Sequence, residues 1–183
     1  MKQLLIALLL SLSVWPAAAE EAWQVLKPDG RGFEIAFPQK PEVKEGDEDI
    51  GDGQVAKTWT YSILSLSENT IYDVTIAEYP VGAINPNELA QHLDNARDGG
   101  LRSSGGTLKS ETKIAIAGLP ARELLVDLMG MVARSRIVIA GNRLFIVGAI
   151  TSKGAEQSPA SEKYFASFKL SGSAAASPPY AKK

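Results

Sequence analysis

Between Gly118 and Ile150 the chain runs through three stretches of alternating apolar residues joined by two short glycine turns, and this stretch restricts the possible folds most. From Arg122 to Met129 the even positions are Arg122, Leu124, Val126 and Leu128, while the odd ones include Glu123 and Asp127. A period of two separates the faces of a β-strand. Met129-Gly130 suits a two-residue hairpin turn, which sets Leu128 against Met131, Leu125 against Arg134 and Glu123 against Arg136. At Gly141-Asn142 the leading glycine suits a type II′ turn and pairs Ile139 with Leu144 and Ile137 with Ile146. On this register Glu123, Asp127, Arg134 and Arg136 share a face with Val138, Phe145 and Val147. Apolar residues therefore lie on both faces, and a sheet of that kind must be covered on both.

The flanking segments supply the rest of the sheet and its covering layers. Trp23 to Leu26 and Gly32 to Pro38 read as short strands, with Phe33, Ile35 and Phe37 alternating onto one side and Pro38 and Pro41 ending the ladder. Val55, Trp59, Tyr61 and Ile63, then Tyr72, Val74 and Ile76, mark a hairpin over Gln54 to Leu64 and Thr70 to Tyr79. The period changes at Asn85-Pro86-Asn87-Glu88, a helix start, followed by Leu89, Leu93 and Ala96 at helical spacing, with Gly99-Gly100 closing or interrupting the helix. Ser158-Pro159 caps a last helix that carries Tyr164, Phe165 and Phe168. The expected class is α+β: a single antiparallel sheet of about six to eight strands flanked by helices on both faces, an α/β/α sandwich.

Residues 1–19 have Lys2, an apolar run from Leu4 to Leu12 and a small-residue end at Ala17-Ala18-Ala19, which is the secretory leader pattern. The run falls short of the about 20 residues that span a bilayer, so cleavage before Glu20 and a periplasmic or secreted product are expected, without stable membrane insertion after cleavage; an uncleaved N-terminal anchor is the alternative. A single domain over 20–170 and a disordered tail over 171–183 complete the predicted organisation. The formal net charge of −2 offers no polyanion-binding face, so nucleic acid is not an expected partner. The absence of cysteine removes thiol nucleophiles, thiolate metal sites and disulfides.

Several short patterns imitate functional motifs and fail on their particulars. The acidic run Glu42 to Gly53 reads as a solvated hairpin loop. Counted from Asp47 as an EF-hand loop, it places Asp52 at the required glycine and Thr58 at the closing glutamate, so no calcium site is expected. Gly100 to Thr107 resembles a phosphate-binding loop but has Gly106 in the lysine position and follows a helix. Ser110-Glu111-Thr112-Lys113 lacks the companion elements of penicillin-recognising enzymes. His92, the only histidine, sits beside the apolar stripe of its helix near Asp94 and Asp98 and is expected to be structural. Neither a metal nor another cofactor is predicted.

Phe33-Glu34-Ile35-Ala36-Phe37-Pro38 with Pro41, the Gly118-Leu119-Pro120 turn, and the closing Tyr164-Phe165-Ala166-Ser167-Phe168-Lys169 together resemble exported PsbP-like proteins. PsbP itself is an extrinsic subunit of photosystem II. The resemblance spans Trp23 to Leu170 and implies an antiparallel sheet with helices on both sides, acting as a noncatalytic docking or accessory module. It carries over no metal-binding or photosystem-contacting residue.

Two functions follow as expectations. The first is a noncatalytic periplasmic accessory or binding protein with an envelope or periplasmic protein partner, acting through the sheet edge, the acidic loop or the Gly99 to Gly106 segment. Within that reading Arg122, Arg134 and Arg136 are the candidate binding residues, since arginines on a sheet face recognise anionic groups; cross-strand pairing with Glu123 and Asp127 is the competing structural role. The second is a hydrolase acting on cell-envelope or carbohydrate substrates through carboxylates such as Asp73 and Glu78, which requires two acids flanking one cleft at about 5 to 9.5 Å.

Overall fold

The computed structural model describes residues 23–51 and 53–172. The leader expected over 1–19 lies outside these residues, as does the expected tail beyond Gly172. Among the described residues ten strands and two α-helices run in the order β1 (Gln24–Leu26), β2 (Phe33–Phe37), β3 (Glu42–Gly51), β4 (Gln54–Ser65), β5 (Thr70–Glu78), α1 (Leu89–Ser104), β6 (Thr107–Ile116), β7 (Leu119–Leu128), β8 (Met131–Ala140), β9 (Arg143–Ser152), α2 (Pro159–Ser167) and β10 (Lys169–Leu170). No helix among the described residues is long and apolar enough to cross a membrane.

Seven strands form an antiparallel sheet in the order β3-β4-β5-β9-β8-β7-β6, and the other three make a separate small sheet in the order β1-β2-β10. This corrects the expected single sheet with helices on both faces. The sequence argument that both faces need a cover is sound, but one of the covers is itself largely β-structure. Phe33, Ile35 and Phe37 of β2 are fully buried against Trp59, Tyr61, Tyr72, Val74, Phe145 and Val147 of the large sheet. Tyr164, Phe165 and Phe168, from α2 and the residue that ends it, join them. Burying each such side chain contributes roughly 1.5 to 3 kcal/mol, so this aromatic layer dominates the fold's cohesion.

The meander matches its expected register. Glu123 opposes Arg136, Leu125 opposes Arg134 and Leu128 opposes Met131; Ile139 opposes Leu144 and Ile137 opposes Ile146. Met129 and Gly130 both take positive φ, 44° and 103°, as a tight hairpin requires. The acidic run is not a loop. Glu42 to Gly51 pairs with β4 as an edge strand, exposed along nearly its whole length, and its charges suit an edge that must not recruit further strands.

Among the described residues the second face of the large sheet is covered by α1, with Tyr79 and Ile84 from the segment that leads into it. Asn85 caps its entry by accepting a hydrogen bond from Asn87 N at 3.1 Å, with Pro86 leading a short 3-10 turn. The helix does not stop at Gly99-Gly100 but continues to Ser104, where Gly105 ends it in the left-handed conformation, φ 64°. Leu89 and Leu93 are buried against Ala77, Leu124, Ile137, Ile139 and Leu144. This second core fills the space beneath the first half of the helix.

Candidate functional site

Beyond Leu93 the helix turns small residues toward the sheet. Ala96 and Gly100 lie across from Ala133, Ser135 and Gly148, so small faces small and the layers fail to fill the gap. A cavity of about 180 Å³ results, walled by Leu101, Leu124, Val126, Leu128, Ile137 and Ile146. A Cβ built on Gly100 meets nothing within 4 Å, so no close contact accounts for glycine there, although two glycines inside a helix cost roughly 1 kcal/mol each.

Into this apolar space projects Asp73. In the ladder Asp73 pairs with Gly148 of β9, and Gly148 pairs with Ser135 of β8. The carboxyl lies over Gly148 so closely that a Cβ at that position would stand 2.5 Å from Asp73 Oδ1. Any larger residue there would force the carboxyl to move. Strand spacing of about 4.8 Å then brings the carboxyl to within roughly one strand of Ser135 on the same face. Among the described residues no group donates a hydrogen bond to either carboxyl oxygen; the Tyr164 hydroxyl, 2.7 Å away on the other face, donates to the Asp73 backbone carbonyl instead. Desolvation raises the Asp73 pKa from 3.8 to about 6, because burial disfavours the charged form and no cation offsets it. The residue keeps partial exposure, and its place in the cavity wall gives that exposure a direction.

The cavity adjoins a wider groove of about 690 Å³, with Ala96, Gly100 and Ile146 common to both. Glu48 and Asp49 of β3 line one side of the groove, and His92 and Arg102 of α1 the other. Burial, and secondarily the nearby Glu48 charge, push the Tyr79 hydroxyl pKa up at this mouth. His92 has a structural partner, since its Nε2 accepts the Asn85 N–H at 3.0 Å and so ties the helix to its entry loop. Among the described residues no group of three or more His, Cys, Asp or Glu is placed to hold a metal ion.

The three arginines singled out from the sequence do not come together. Arg134 and Arg136 lie on the aromatic face, where Arg134 Nη2 is 3.0 Å and Arg136 Nε 2.7 Å from the same Glu123 oxygen. Arg134 also pairs with Glu162, and both guanidiniums stack on Phe165, at 4.7 and 5.0 Å from its centroid. Burial pushes the Glu123 pKa up, but hydrogen bonds from Arg136 and Arg134 outweigh it and hold the carboxyl below its ordinary value. Arg122 is on the α1 face. Its Nε stands 2.8 Å from Glu111 Oε1 in an ion pair that lacks hydrogen-bond alignment, and its Nη2 is 3.8 Å from Asp94. Arg97 ties Asp94, Asp98 and Glu111 into the same network. Each arginine is thus matched by carboxylates. Of the two carboxylates named for hydrolysis, Asp73 enters the cavity, while Glu78 belongs to the opposite strand face and pairs with Arg143 at 2.7 Å.

Comparison with known proteins bears on the fold. No family model matches the chain, and no curated protein matches it. Among solved structures it is similar to cyanobacterial PsbP (CyanoP) from Synechocystis sp. PCC 6803, with a TM-score of 0.56 at 13% identity, covering 87% of this chain and 98% of that one. A protein of unknown function from Pseudomonas aeruginosa, PA94, described as a putative regulator, aligns at 13% identity over 73% of this chain and 85% of its own, with a TM-score of 0.33 that supports no argument. The fold is therefore PsbP-like, in agreement with the resemblance carried by the aromatic and proline positions.

Proposed function

We propose that this PsbP-like chain is an exported, noncatalytic binding protein, and that it holds a small, mostly apolar ligand in the cavity beneath α1. The observation that carries the reading is Asp73: an unneutralised carboxyl kept in an apolar cavity that two glycines, Gly100 and Gly148, leave open. Such an arrangement costs stability, and apolar pockets with one or two placed polar groups are the usual form of small-ligand sites. Export rests on the leader-like residues 1–19. A protein partner in the envelope fits the same reading, with the acidic edge strand β3 as its contact surface.

Hydrolysis by paired carboxylates draws less support. The described cavity lining contains no acid besides Asp73, and Glu78 projects away from it. Purifying the tagged protein from an envelope extract and analysing the released small molecules by mass spectrometry tests binding directly. A compound that accompanies the wild type and is lost from Gly100→Leu, whose new side chain occupies the cavity, is the expected result. Identical small-molecule content in the two proteins would contradict the proposal.

A further inference from the structure

The cavity's chemistry narrows the ligand further, on the footing that it is the binding site just proposed. Its walls are aliphatic from Leu101, Leu124, Val126, Leu128, Ile137 and Ile146. The polar residues of its lining are Asp73, Ser135 one strand from the carboxyl, Ser104, Arg97 and Arg134. The two charged residues besides Asp73 in the cavity lining are already committed. Arg97 of α1 is bound to Asp94, Asp98 and Glu111; Arg134 of β8 to Glu123 and Glu162. On the neighbouring strands Ser62 of β4 and Gly148 of β9 are uncharged, and Tyr164 from α2 reaches only the backbone carbonyl of Asp73. Among the described residues, then, no cationic group pairs with Asp73.

We infer that the site takes a small apolar cation, a primary or secondary ammonium whose N–H groups donate to Asp73 while its hydrocarbon body fills the space below Leu101. An ammonium supplies both things the carboxyl lacks, a positive charge and hydrogen-bond donors. An anionic ligand would place like charges together, and a neutral one would leave the carboxyl uncompensated. The volume, about 180 Å³, slightly exceeds the about 150 Å³ of an engineered apolar cavity that accepts benzene, so a body of about six to eight carbon atoms fits. Glu48 and Asp49 line the adjoining groove and favour entry of a cation, with Arg102 the opposing charge on the rim.

Isothermal titration of the folded protein with benzylamine, benzyl alcohol and benzoate tests this at pH 7.5 and pH 5. At pH 7.5 benzylamine binds more tightly than benzyl alcohol by roughly tenfold or more, and benzoate does not compete. Asp73→Asn removes the preference and leaves benzyl alcohol binding in place. At pH 5, with benzylamine still protonated and Asp73 largely neutral, the preference shrinks by about tenfold. Equal binding of amine and alcohol to the wild type, or an undiminished amine preference in Asp73→Asn, would overturn the ammonium assignment while sustaining the cavity as a site. If none of the three binds, the assignment and the proposed binding function fall together.

Discussion

Replacing Asp73 with asparagine keeps the shape of the side chain and deletes a charge that the fold holds at a loss. Its pKa is about 6 in the folded protein against an ordinary 3.8, a difference of about two units, or about 3 kcal/mol at 1.36 kcal/mol per unit. The folded state binds the proton more tightly than the unfolded chain, so the contribution of this group to stability is greatest below about pH 4. It declines as pH rises to about 6 and stays low above that. Part of the penalty is relieved by the carboxyl's access to solvent, and the asparagine amide must also be hydrated in the cavity, so about 2 kcal/mol is expected at pH 7.5. Urea unfolding of wild type and Asp73→Asn measures it. With a slope of about 2 kcal/mol per M, the variant's midpoint should lie about 1 M higher at pH 7.5 and close to the wild-type value at pH 4. The comparison cancels the acid titration of paired groups such as Glu123. A variant no more stable than wild type at pH 7.5, or a difference that does not vary with pH, would refute the desolvation argument.

Gly148→Ala should destabilise by about 1 to 3 kcal/mol, because its Cβ would overlap Asp73 Oδ1; pairing it with Asp73→Ala should recover at least about 1 kcal/mol in a double-mutant cycle measured by the same unfolding assay. Gly100→Ala should raise the thermal midpoint, since helix propensity gains about 1 kcal/mol and the added methyl meets no atom within 4 Å. Arg134→Ala should cost about 1 to 3 kcal/mol in the same unfolding assay by removing the Glu123 and Glu162 pairs and the stack on Phe165. Ser158→Ala should cost about 1 kcal/mol in denaturant unfolding through loss of the cap to Ser161 N.

The meander was legible because its information is local. Two turns, Met129-Gly130 and Gly141-Asn142, pin the register, and a period of two then assigns every side chain to a face. The same parity separates Arg122 from Arg134 and Arg136, and the turn at Met129-Gly130 is enough to set Glu123 opposite Arg136. What sequence reasoning missed is non-local. Leu170 pairs with Phe33 across the whole length of the domain, and nothing in the few residues of β10 or β2 specifies that partner or reveals that they leave the large sheet. The strand β3 escaped notice because it is exposed on both faces and so has no apolar alternation to betray it.

The site was half legible. Asp73 was named as a carboxylate, and the Gly99 to Gly106 segment as a surface, but their meeting depends on α1 crossing the strands that follow it in sequence. The signal present was a charged residue between Tyr72 and Val74, in phase with Ile71 and Thr75 on the less apolar face of β5. Its significance comes from the pairing of β5 with β9, which sets Gly148 beneath it. A strand aspartate set against a cross-strand glycine is the pattern that would have found it.

The most direct test is a carbon-13 NMR titration of the Asp73 carboxyl, with and without benzylamine. A midpoint near 6 in the free protein, moving to lower pH as the amine is added, is the predicted result. A midpoint near 3.8, unmoved by the amine, would contradict the account, because it would show a carboxyl already solvated or paired and a cavity with nothing to offer a cation.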